Sequence, residues 1–185
     1  ALDVAAINEV RTQAWPEVRN SDEAHDALLT LGLLPSRDAE IWAEHLHELL
    51  AARRVTNLLV NGLAVAVVAT ERVRLVAALF PGAGFAPEVP DISLPASRSD
   101  SAVDDESAAL DVVRGWMDSL GPVTAAALAA RLGLSNARVD AALARLESQG
   151  SILQGSFTTE SPGEVEWCER GLLARIHRLT VGWLR

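Results

Sequence analysis

Two copies of a helix, turn, helix and ribbon pattern, set about one hundred residues apart, predict a mainly α fold with small β-hairpins, built as tandem winged-helix domains. Three observations carry that reading. Thr124 to Leu132, Gly133 and Ser135 to Gly150 read as two helices around a tight glycine turn, and two short extended runs follow. Asn61-Gly62 stands between two β-branched runs, the pairing that a type I′ hairpin turn requires. The landmarks also recur at similar offsets: Gly32 and Gly133 are 101 positions apart, Ser36 and Ser135 are 99, and Glu71-Arg72 and Glu169-Arg170 are 98.

In order, Leu2 to Trp15 has Val4, Ile7, Val10, Arg11 and Ala14 at helical spacing and stops at Pro16. Ser21 is the expected cap of a second helix, with Asp22 and Glu23 in its first turn and Gly32 at its end. Ser36 opens a third, where Ile41, Trp42, His45, Leu46, Leu49 and Leu50 make one broad apolar face. Val55 to Val60 and Leu63 to Ala69 are the strands flanking Asn61-Gly62, and Glu71 to Phe80 is a helix. Pro81 to Ser101, with four Pro and two Gly, reads as a connecting loop. The expected domains are residues 1–80, a linker at 81–103, and residues 104–185.

In the second copy, Asp104, Asp105 and Glu106 precede Ala108 to Leu120 and favour the positive end of a helix. Thr124 caps Ala125 to Leu132, which Gly133 ends. Ser135 caps the next helix, where Val139, Leu143 and Leu146 form one stripe. Burying those three supplies roughly 1.5–3 kcal/mol each, enough to dock it. Ile152 to Phe157 and Val165 to Cys168 are the wing strands. Glu169 to Arg185 forms a last helix with Leu172, Leu173, Ile176, Leu179 and Trp183 on one side. The chain stops directly after Trp183-Leu184-Arg185 without a polar cap, which reads as a fragment of a longer polypeptide.

With 49% hydrophobic and 22% charged residues the chain is globular. A single cysteine, Cys168, excludes an internal disulfide and a cysteine metal cluster, so a cytoplasmic protein is expected. No apolar run is long enough for a membrane span. The net charge of −9 is unevenly spread: residues 1–80 carry 11 acids and 7 Arg, whereas residues 119–185 carry 6 acids and 7 Arg. All 16 basic residues are Arg, which excludes a phosphate-loop lysine or a Schiff-base lysine here.

The second recognition helix is the expected groove reader. Asn136, Arg138 and Arg145 are placed to reach base edges or phosphates, Arg131 on the preceding helix to hold the backbone, and Arg175 and Arg178 to add charge from the last helix. The matching helix of the first copy carries Asp38, Glu40, Glu44 and Glu48, which repel phosphate, so that copy reads as a packing or protein-contact module. His45 and His47 point apart on a helix and do not form a zinc pair. Trp167 reads as core packing, Cys168 has no nucleophile's partner, and Gly82-Ala83-Gly84 follows a helix, unlike a dinucleotide loop. No catalytic residue and no metal ligand stands out.

The stretch Glu166-Trp167-Cys168-Glu169-Arg170-Gly171-Leu172-Leu173-Ala174-Arg175-Ile176-His177-Arg178 resembles the bacterial large helicase-related proteins. So do Ser21 to Leu29 and Gly121-Pro122-Val123-Thr124, although members usually carry Arg in place of Gly171. The resemblance implies the C-terminal accessory segment of a superfamily 2 ATP-dependent DNA helicase that translocates 3′ to 5′ and serves DNA repair. It further implies ATP and Mg2+ in the parent protein, weak DNA binding through the second winged helix, and contact with the protein's own helicase core. Assembly into a homo-oligomer is also implied, as is a likeness to winged-helix DNA glycosylases. The alternative is a protein-interaction adapter that binds no nucleic acid, favoured by the acidic first half.

Overall fold

A computed structural model of the chain describes residues 1–90 and 104–185; most of the expected linker, residues 91–103, lies outside the described residues. The fold is mixed α/β, with helices and two small antiparallel sheets. Two compact units divide it, a terminal unit of Ala1–Glu17 with Val113–Arg185 and a middle unit of Val18–Val112.

The terminal unit begins with α1 (Val4–Ala14), capped by the Asp3 carboxylate accepting from Ala6 N at 3.1 Å. The middle unit follows with α2 (Ser21–Leu31), β1 (Leu34–Pro35), α3 (Ser36–Ala39), a 3-10 turn at Glu40–Trp42 and α4 (Ala43–Ala51). Next come β2 (Val55–Val60), β3 (Leu63–Ala69), a 3-10 turn at Thr70–Arg72, α5 (Val73–Leu79) and β4 (Gly84–Ala86). The sheet order is β1-β3-β2-β4, all antiparallel. Asn61 and Gly62 take φ of +51° and +78°, as the hairpin turn demands.

Several sequence expectations are corrected in this unit. The cap of α2 is Asn20, not Ser21: Asn20 is extended and its side chain accepts from Glu23 N at 2.8 Å, while Ser21 is already helical. Ser36 opens α3 as expected, although its hydroxyl donates to Ala64 O on β3 and caps no backbone N–H. The third helix is interrupted by the 3-10 turn, whose tighter winding shifts the phase of the apolar stripe. Ile41 is consequently turned outward at 86% exposure, whereas Trp42, Leu46 and Leu49 are buried. Within the expected loop, Gly84–Ala86 adds a strand beside β2.

α6 (Asp105–Met117) runs across the division between units. The terminal unit continues with β5 (Val123–Thr124), α7 (Ala125–Leu132), α8 (Asn136–Ser148), β6 (Ile152–Gly155), β7 (Glu166–Glu169) and α9 (Arg170–Trp183), with sheet order β5-β7-β6. Thr124 and Ser135 cap α7 and α8 through Ala127 N and Arg138 N, and Gly133 takes φ +70°. β6 ends two residues before the expected Phe157. The Phe157 ring lies over Gly155, where a Cβ would stand 2.8 Å from it, and Phe157 N turns to the Glu166 carboxylate. α1 packs on α9: Ala6, Ile7 and Val10 meet Cys168, Leu172 and Ile176 in one buried cluster.

Among the described residues, no helix is long and apolar enough to cross a membrane.

Candidate functional site

The end of α1 and the start of α7 frame a cleft of about 370 Å³ in the terminal unit. Arg11 and Trp15 line one side, Arg131 and Ala127 another, with Ser119 to Thr124 forming the floor and Glu160, Ser161 and Glu166 the wing side. Pro16 stops α1 just past Trp15, which leaves the indole at the rim.

Three local arrangements set the geometry. First, the Arg131 guanidinium lies over two indoles, 5.2 Å from the Trp15 ring centre and 5.0 Å from that of Trp116, the two rings being 5.5 Å apart and tilted by 53°. Trp116 is fully buried, so the stack is anchored in the core, and its other two members, Trp15 and Arg131, line the cleft. Second, Arg11 makes an ion pair with Glu160, Nη1 to Oε1 at 2.7 Å and Nη2 to Oε2 at 3.2 Å, while Nη2 also donates to Pro122 O at 2.7 Å. The hydrogen bond from Arg11 holds the Glu160 carboxyl below the usual carboxylate range, so it is ionised at neutral pH.

Third, Glu166 is buried at 2% exposure and accepts from Phe157 N and Thr158 N at 2.7 Å each and from the Thr158 hydroxyl at 2.5 Å. The same hydroxyl accepts from Glu160 N at 3.3 Å, so a chain of hydrogen bonds runs from the buried carboxylate to the backbone of the exposed one.

The sequence-derived candidates fall into separate places. Arg131 belongs to the cleft. Asn136 is exposed in the first turn of α8, and Arg138 and Arg145, seven residues apart, share one side of that helix beside the buried stripe of Val139, Leu143 and Leu146, with Arg138 half-buried and Arg145 exposed. Arg175 and Arg178 are on α9, where the Gln13 side chain of α1 accepts from Arg175. Asp38, Glu40, Glu44 and Glu48 lie in the middle unit, as does His25, which is buried and paired with Glu71 at 2.9 Å. Cys168 is buried, and burial pushes its thiol up to about 12, which rules it out as a nucleophile. Among the described residues no group of three or more His, Cys, Asp or Glu is placed to hold a metal ion.

Arg11, Trp15, Trp116, Glu160 and Glu166 were not singled out as functional from the sequence. Glu166 alone left a local trace: strand alternation puts it in phase with inward Cys168, and a carboxylate on an inward face demands partners. Glu160 sits in a polar turn that looks like any other.

A cleft combining an indole face, guanidinium groups and an ionised carboxylate has the size and chemistry to take a planar heteroaromatic ring. Residues 4–177 match the family described as DNA glycosylase AlkZ-like, and the chain belongs to that family. No curated protein is matched by the sequence. The family match corrects the helicase-related resemblance: across nearly the whole chain the likeness is to a DNA glycosylase family, so neither the accessory segment of a helicase nor the non-enzymatic adapter stands.

Proposed function

We propose that the chain is a DNA-repair glycosylase of the cytoplasm that receives an extruded base in the cleft between α1 and α7. The observation that carries this reading is the indole of Trp15 and the ionised carboxylate of Glu160 lining one cleft of about 370 Å³. Hydrolysis of an N-glycosidic bond moves the bonding electrons onto the departing base and leaves positive charge on the sugar. Trp15 stacks on the base, and Arg131 with the Ser119, Thr124 and Ser161 hydroxyls meets its polar edge. Glu160 faces the sugar, where a carboxylate stabilises the cation and takes the proton of the attacking water. Glu166, with three donors already on it, holds Glu160 in place.

Both units are read as winged helices. In each, a short strand precedes the helices and pairs with the second strand of the hairpin, β1 with β3 and β5 with β7. In the terminal unit this makes α8 the groove helix, with Asn136, Arg138 and Arg145 toward DNA and Arg175 and Arg178 adding charge from α9.

Duplex oligonucleotides each carrying one alkylated, deaminated or oxidised base test the reading, with alkali-labile abasic sites as the readout. At least one duplex is expected to be cut. Glu160→Gln is expected to slow cutting by about a hundredfold while the far-ultraviolet circular dichroism is unchanged. No abasic site from any duplex, or full activity in Glu160→Gln, overturns it. Arg138→Ala with Arg145→Ala is expected to lower the salt slope of DNA binding by about 0.9 for each phosphate contact removed, and an unchanged slope takes α8 off the DNA.

A further inference from the structure

We propose that Arg11 is a phosphodiester-binding fork which Glu160 occupies as an internal stand-in, and that the DNA backbone displaces Glu160 when it binds. The inference rests on the DNA-contacting reading of the same cleft and adds a ligand to one residue of it.

Arg11 is built into its position. Its stem lies so close to Gly121 that a Cβ there would stand 2.7 Å from Arg11 Cγ, and Pro122 O fixes one edge of the guanidinium plane. Nη1 and the same Nη2 that donates to Pro122 O each take one oxygen of Glu160. Two oxygens on one planar fork is also how the two non-bridging oxygens of a phosphodiester are held. The fork and its occupant differ in anchorage: the Arg11 side chain is 28% exposed and packed, whereas that of Glu160 is 60% exposed on the wing turn. An ion pair with one partner so exposed is a weak contact, open to exchange. A DNA phosphate also gains from counterion release, which an internal carboxylate does not.

The exchange would link binding to chemistry. Glu160, once off Arg11, loses the hydrogen bond that depresses its basicity. It becomes a better proton acceptor when the strand is seated.

Binding to an undamaged duplex, followed by fluorescence anisotropy across a salt series, tests this without any catalytic step. Arg11→Met keeps the stem beside Gly121 and removes the fork; it is expected to reduce the salt slope by about 0.9. Glu160→Ala is expected to tighten binding about two- to fivefold, and to give no gain when combined with Arg11→Met. A slope unchanged in Arg11→Met overturns the proposal, as does a gain from Glu160→Ala that persists beside Arg11→Met, since that gain would be general charge repulsion. Because no modified base is present, these results stand apart from abasic-site formation: a chain that cuts nothing can still show the exchange, and an active one can lack it.

Discussion

Trp116→Ala is expected to lower the stability of the terminal unit by about 3–5 kcal/mol, read as a shift in urea denaturation. The side chain is fully buried on α6, so its removal leaves a cavity in a close-packed interior. It also strips one of two indoles from Arg131 and the tilted partner from Trp15. Trp116→Phe restores much of the volume and is expected to recover more than half of the loss. Trp15→Ala, at a half-buried position on the rim, should cost less stability than Trp116→Ala yet weaken base binding by about 1–3 kcal/mol, because it removes the stacking face itself. Equal stability losses at the two positions would mean that Trp15 is simply core.

What the sequence made legible was local. Thr124, Ser135, Gly133 and Asn61-Gly62 act through their own backbone and the next few residues, so their roles follow from side-chain chemistry alone. Asn20 was missed for Ser21 because two adjacent residues could each cap and only the entry angle of the chain decides between them. The phase slip that exposes Ile41 depends on one 3-10 turn, and β4 forms only because β2 offers it an edge. The packing of α1 on α9 joins residues some 160 positions apart, beyond any periodicity argument. The cleft has the same origin: Arg11, Gly121, Arg131 and Glu160 come from four separate segments.

The helicase-related resemblance went wrong for a related reason. Within the thirteen residues that carry it, Cys168, Leu172 and Ile176 form the cluster against α1, and Glu166 and Glu169 are spent on backbone donors. A likeness concentrated there reports how a ribbon and helix pack, and says little about the reaction.

Glu166→Ala is expected to cost about 3 kcal/mol and to abolish cutting together with it. The carboxylate is buried, and its loss leaves Phe157 N, Thr158 N and the Thr158 hydroxyl without their acceptor. Glu166→Gln keeps one acceptor oxygen and the shape, so a smaller loss, about 1–2 kcal/mol, is expected by the same denaturation measurement. A positioning role needs a readout that plain destabilisation would not move, and Thr158 supplies it. Its hydroxyl relays the buried carboxylate to Glu160 N, so Thr158→Val is expected to slow cutting at least tenfold while stability falls by only about 1 kcal/mol. If cutting by Thr158→Val followed stability alone, Glu166 would be holding the wing together without aiming Glu160.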